Sequence, residues 1–451
     1  MTSQIKPPHF DATTSQIGSP HFDASGHLSP ERPKLLMSAY ACCPDRGSEP
    51  GVGWNRALLA AQDFDTWVIT EDANYGTVIR EYLKSHGPVD GLQFVYVPKS
   101  RLVRLLRYGL RLYYPALQLW HRDAYRVARR LHDEIGFDAV HQVNFMTFRE
   151  PGYLWKLDAP FIWGPWGGVQ NYPWRFLSMA GPFAAMREGL RSIINVIQLR
   201  FNRRVTTAAR RAVLMLACNS ENQEAFARIH GINPKILAGN GVAELLAVSP
   251  KRPGSGPIKL LWVGRLEGFK GLPLLLKALA RISGDFRWEL QVIGQGPKLK
   301  QWQRLASRLG IADRVSWNYL ATKDVYSEYR KSDIFLFTSM RESVPTVVIE
   351  ALSAGLPIVY LDHHGMHDMV PRDAGIGIAV RTPEQVTTDL AESITALLDD
   401  PSARERMSMA ALEQAEKYLW CNQGKQLNEL ILQVIKPKKA PAFSPTAFAS
   451  V

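Results

Sequence analysis

The stretch FLFTSMRESVPTVVIEALSAGLPIVYLD, residues 335–362, sets two acids, Glu342 and Glu350, between two apolar runs. FLFTS reads as the end of a buried strand, TVVIEALSA as a helix and LPIVYLD as the next strand. A buried strand, a helix and a second buried strand make one unit of a parallel sheet. Loops that leave such a sheet at the carboxyl ends of its strands are where ligands bind. Glu342 therefore stands on the functional edge. Pro345 suits a first helical turn and Gly355 a C-terminal cap, which puts Glu350 one to two turns into the helix. The amides of Val344, Thr346 and Val347, next to Ser343, carry the partial positive charge of a helix N-terminus and invite an anion. On spacing alone the two acids read equally as a loop glutamate and a surface helix glutamate.

Working outward, the first strand of the same series, IKLLWVGRL (258–266), runs into VGRLEGFKG. Arg265 and Lys270 follow that strand and precede a helix, where paired cations hold a diphosphate by charge-assisted hydrogen bonds. The spacing of a Walker A loop is absent. In VIGQGPKLK, Gly294 and Gly296 follow the next strand, but Leu299 fills the third glycine position of a dinucleotide fingerprint. Close approach of a nucleoside to that backbone is the reading that survives.

An earlier series of strand candidates, from KLLMSAYA (34–41) to LMLACN (214–219), alternates with helices in the same way. Two Rossmann-like α/β units are therefore expected, residues 34–248 and 258–412, joined by the linker 249–257 (SPKRPGSGP). Residues 1–33 hold a short repeat, TSQIKPPHFDA returning as TSQIGSPHFDA, with no apolar periodicity, and read as a disordered tail. A last helical stretch, with 413–436 crossing back to the first unit, precedes a tail at 437–451.

The formal net charge is +12, and its location matters more than its sum. Residues 98–132 carry nine Lys or Arg against the single acid Asp123. Arg101, Arg104, Arg107 and Arg111 recur with leucines between them, as in a basic amphipathic helix lying on an anionic bilayer. Residues 186–211 form a second basic stretch. The plainer alternative is a solvated helix with its leucines turned to the core. Nothing here resembles a nucleic-acid recognition module. The four cysteines lack metal-site spacing and read as reduced thiols, and there is no spanning apolar run; a cytoplasmic protein at the inner membrane face is expected. Asp63 and Asp65 form a D-x-D pair that precedes a strand, the wrong end of the sheet for a ligand.

GRLEGFKG, GQG and RESVPTVVIEALSAGLPIV together resemble retaining glycosyltransferase family 4, in particular members acting in bacterial surface-polysaccharide assembly. The resemblance implies the GT-B fold, two Rossmann-like domains facing across a cleft, with a nucleotide-sugar donor held by the C-terminal domain. It implies that Arg265 and Lys270 bind the diphosphate, Glu350 the ribose and Glu342 the transferred sugar, with no cofactor and no metal. GSEPGVGWN, with Gly51 and Gly53, is similar to the family's glycine loop near the diphosphate and acceptor. His141 matches a family histidine, although the second histidine that many members carry is replaced by Gln142 and Val143. The implied acceptor is a hydroxyl of a glycan or lipid-linked glycan. A nucleotide-sugar epimerase of the same architecture and a non-catalytic lipid- or nucleic-acid-binding protein are the alternatives.

Overall fold

The structure is a computed structural model and describes residues 31–247 and 256–435. The N-terminal repeat, most of the 249–257 linker and the 437–451 tail lie outside the described residues. Strands β1 (Lys34–Ala39), β2 (Asp65–Glu71), β3 (Leu92–Val97), β4 (Ala139–Asn144), β5 (Phe161–Trp166), β6 (Ala212–Ala217) and β7 (Lys235–Ile236) form the first sheet. Their order is β3-β2-β1-β4-β5-β6-β7, and every neighbouring pair is parallel. The second sheet contains β8 (Ile258–Val263), β9 (Trp288–Ile293), β10 (Val315–Asn318), β11 (Ile334–Phe337), β12 (Ile358–Asp362) and β13 (Gly375–Ala379). It runs β10-β9-β8-β11-β12-β13, again all parallel. The strand order reverses beside β1 and beside β8, which fixes the crevice of each sheet.

The central strands are apolar because both faces are covered: β4 and β5 are buried at every position, as is β11. The helix after β11 runs Thr346–Ser353 with Pro345 in the capping position, and Gly355 takes the left-handed conformation (φ 64°) that ends it.

The return to the first sheet is made at residues 418–420, later than the 413 boundary, which falls inside the helix Pro401–Glu416. Val242 N–H donates to Tyr418 O (3.0 Å) and Trp420 N–H to Val242 O (2.9 Å). The helix Trp420–Val434 then packs on Ser48–Ala60; a Cβ on Gly424 would meet the Leu59 side chain at 2.8 Å. Asn428 binds Leu59 O (2.8 Å) and Asp63 (2.7 Å), while Asp65 opens β2, so the D-x-D pair sits at the amino end of its strand.

The basic stretch 98–132 is not one helix. A short helix, Arg101–Arg104, leads through a wide turn at Leu105–Gly109 to a separate helix, Tyr113–Ile135. Pro115 explains the break: it has no N–H to give the Arg111 carbonyl, and its ring would clash there. Arg111 adopts φ 55° instead. Leu102, Leu105, Leu110 and Leu112 are exposed, so these leucines do not serve the core.

Candidate active site

The carboxyl edges of the two sheets meet. Gly168, just past β5, donates its N–H to Ser343 Oγ (3.1 Å), just past β11, and Ser343 Oγ donates to Gln170 Oε1 (2.5 Å). Past β6, Asn219 Nδ2 donates to Ser343 O (2.8 Å) and His364 O (3.0 Å), and Ser220 N–H to Asp368 (2.6 Å). Gly167 has to be a glycine here, because a Cβ would stand 2.5 Å from Ser343 Oγ. Ser343, read from sequence as a donor ligand, is thus already engaged as a clasp between the halves.

Lys270 lies in the short helical turn Gly268–Lys270 after β8, and its Nζ forms an ion pair with Glu342. Ser339 Oγ donates to the same carboxylate (3.3 Å). The two residues the sequence placed on different strands' loops therefore form one unit on the cleft edge. Arg265 does not join them: its side chain is 76% exposed and pairs with Glu267.

Glu350 is held differently. Tyr329 O–H donates to its Oε2 (2.8 Å), and burial pushes the carboxyl above its usual range, so it takes up a proton more readily than a surface glutamate. Gly294 and Gly296 have a packing role visible in the geometry. A Cβ on Gly294 (φ 149°) would lie 1.9 Å from Gly264 O, and one on Gly296 2.6 Å from Leu266 O. They let the loops after β8 and β9 pack backbone to backbone. Tyr319, directly after β10, stands exposed beside them, since Gly294 N–H bonds Asn318 O (2.8 Å); sequence reading did not single it out.

In the first half, Gly51 and Gly53 are helical and face their own chain. Their added Cβ atoms would stand 2.5 Å from Arg46 O and 2.1 Å from Ala41 O. Their smallness seats the helix Ser48–Ala60 on the end of β1, whereas Gly47 is the glycine with open space around it. The same turn carries Glu49, a residue that sequence reading passed over. Its carboxylate accepts from Met146 N–H (3.0 and 3.2 Å), and burial raises its pKa to about 7. His141 is the third residue of β4. It is 1% exposed, its Nε2 meets Gly164 O at 2.6 Å, and burial lowers its pKa to about 4. The loop histidines His363 and His364 lie nearer the clasp. His363 Nε2 meets Ser339 O (2.9 Å) and His364 Nδ1 meets Glu221 (3.1 Å).

The helix Pro182–Phe201 is turned inside out. Phe183 (83%), Met186 (68%), Ile193 (59%) and Phe201 (71%) are exposed, while Glu188 (3%) and Asn195 (1%) are buried. No described helix is long and apolar enough to cross a membrane.

Residues 249–414 match the family described as "Glycosyl transferases group 1". An alpha-D-kanosaminyltransferase of Streptomyces kanamyceticus is 29% identical over 171 residues, 37% of this chain and 44% of that protein. A D-inositol 3-phosphate glycosyltransferase of Corynebacterium diphtheriae is 29% identical over 179 residues, 38% and 41% of the two chains. The matched part thus spans less than half the length of these two relatives. Among solved structures, the lipopolysaccharide outer core galactosyltransferase WaaB superposes with a TM-score of 0.61 at 17% identity, covering 89% of this chain and 99% of that one. Anabaena Alr3699/HepE in complex with UDP and glucose gives 0.59 at 16%, covering 89% and 100%. The chain has the two-sheet GT-B fold of these structures, and its second half, residues 249–414, is similar to the glycosyl transferases group 1 family.

Proposed function

We propose that the protein is a retaining glycosyltransferase that moves a sugar from a nucleoside-diphosphate sugar to a hydroxyl of a glycan or lipid-linked glycan in cell-surface polysaccharide synthesis. The observation that carries this reading is the Lys270–Glu342 pair, set on the carboxyl edge of the second sheet one residue from the clasp between the halves. The charge that grows in such a reaction is on the departing diphosphate. Lys270 and the first turn of Thr346–Ser353 supply a cation and helix amides for it, and Arg265 can swing in from Glu267. Glu350 holds ribose hydroxyls, and Glu342 holds hydroxyls of the transferred sugar. With these cations in place the reaction needs no metal, so chelator should leave turnover unchanged. The test is product analysis with UDP- and GDP-sugars and a panel of glycan acceptors. Release of diphosphate together with an acceptor glycosylated with the donor's anomeric configuration is expected. An isomerised nucleotide-sugar with no acceptor consumed would overturn the reading in favour of an epimerase.

The enzyme works at the cytoplasmic face of an anionic membrane. Two surfaces support this: the exposed leucines among Arg101, Arg104, Arg107 and Arg111, and the exposed stripe of Pro182–Phe201 next to Arg187, Arg200 and Arg203. An apolar stripe bordered by arginines matches the interior and the headgroups of an anionic bilayer. Flotation with anionic vesicles, and none with neutral ones, is the expected result.

A further inference from the structure

The inward face of the helix Pro182–Phe201 carries Glu188, Arg191 and Asn195, one helical turn apart in succession. Each leads to a different part of the cleft. Glu188 reaches Arg341 of the loop after β11 (3.5 Å). Arg191 donates to Gln170 O (3.4 Å), beside the Ser343 clasp, and Asn195 Oδ1 accepts from Arg149, which is 8% exposed. Three guanidinium groups thus converge at the cleft, Arg149 and Arg191 from the first half and Arg341 from the second.

Their partners do not balance them. Among the described residues, Glu188 is the one carboxylate in an ion pair with this trio, through Arg341, and it is shared with the exposed Arg187 (3.4 Å). Arg149 otherwise meets hydroxyls and an amide, from Thr147, Tyr114 and Asn195. The Nε of Arg341 is shielded from water and faces Glu188 Oε2 at 3.5 Å, too loosely for a hydrogen bond. A guanidinium taken out of water stays charged and is costly to hold there unless a counter-charge answers it. Burial first, then the nearby Arg341 and Arg149, lowers the Arg191 pKa to about 10, with Glu188 and Tyr114 opposing that shift.

We infer that Arg149, Arg191 and Arg341 form a phosphate-binding subsite on the acceptor side of the cleft, and that the acceptor is a phosphorylated molecule. This rests on the transferase reading only for the word acceptor. The subsite itself follows from the unbalanced trio, its fork-shaped donors and its place one residue from Glu342. The phosphate can be borne by a lipid, since the opposite face of the same helix is the exposed apolar stripe, or by a soluble sugar phosphate.

The test measures binding of inorganic phosphate to the full chain, by calorimetry or thermal shift, in wild type, Lys270→Ala, Arg191→Gln and Arg191→Lys. Wild type should bind. Arg191→Gln should weaken binding by about ten- to a hundredfold, as expected for one lost charge-assisted bond, with partial rescue in Arg191→Lys. Lys270→Ala should change it less than about twofold, because Lys270 belongs to the donor side. Unchanged binding in Arg191→Gln, or binding lost in Lys270→Ala instead, overturns the inference, as does no binding to folded wild type. Nucleoside diphosphates titrated into the same samples separate the two readings: phosphate binding without nucleotide binding leaves the subsite standing and removes the donor site. Phosphatidylcholine vesicles with and without phosphatidate distinguish the sources. Phosphatidate binding competed by free phosphate and weakened in Arg191→Gln identifies a lipid phosphate, and phosphate binding without that competition identifies a soluble one.

Discussion

The two halves share a sheet plan but treat their cations differently. On the edge of the second sheet Lys270 pairs with Glu342 and Arg265 with Glu267, acids of the same half, whereas Arg341 reaches across to Glu188 of the first half. Across the cleft, Arg149 and Arg191 have only neutral oxygen partners among their described hydrogen bonds. Lys270 and Arg265 are thus each answered by a neighbouring acid, and on the proposed reading a diphosphate enters by exchange for those carboxylates. The first-half pair has no such acid among those bonds, which is the ground for the phosphate subsite inferred above.

The largest effect that would break this comparison lies in the exchange. Lys270→Ala should reduce turnover by about 10²–10³, the usual loss when one preorganised donor to a developing charge is removed. Near-normal turnover would mean that the diphosphate is held elsewhere.

Next in size is a pH effect in the first half. Unfolded Glu49 loses its proton near pH 4.5 and folded Glu49 near pH 7. Between those values the native state holds the proton more tightly, so this group's contribution to stability falls as pH rises. Glu49→Gln should therefore gain on wild type by up to ~3 kcal/mol between pH 4.5 and 7 in denaturant titrations. A constant difference between the two proteins across that window would show that Glu49 ionises freely in the folded state.

The smallest effect on stability, though not on location, concerns the outer face of Pro182–Phe201. Ile193→Glu and Ile197→Glu should change unfolding free energy by no more than about 0.5 kcal/mol, as for other exposed positions. The same changes should remove flotation with anionic vesicles. A large loss of stability would mean that the stripe packs against protein.

How much of this was legible in the sequence follows the same division. The strands from β8 to β12 were readable because continuous apolar runs mark a sheet covered on both faces. β13, with Gly375 and Gly377 in GIGIA, resembles a turn, and the two-residue β7 offers no pattern to detect. The ends of the E-x7-E element were placed correctly on a loop and a helix. What spacing could not show is that Lys270, 72 residues away, closes onto Glu342, because that contact depends on how β8 lies beside β11. Gly51, Gly53, Gly294 and Gly296 were recognised as necessary but linked to ligand approach, whereas their missing Cβ atoms admit the protein's own carbonyls. Periodicity reveals that a helix has an apolar face, but not whether that face points inward. For Pro182–Phe201 it points outward, and only the fold discloses it.

The central claim is that the second half holds a nucleoside diphosphate at Lys270 and Glu350. The most direct measurement is the thermal shift of wild type, Lys270→Ala and Glu350→Gln with UDP, GDP, ADP and CMP. One diphosphate should stabilise wild type, by roughly 2.7 kcal/mol at about a hundred times its dissociation constant, and should stabilise both variants less. Equal stabilisation of all three proteins, or none by any nucleotide in a folded sample, would contradict the account.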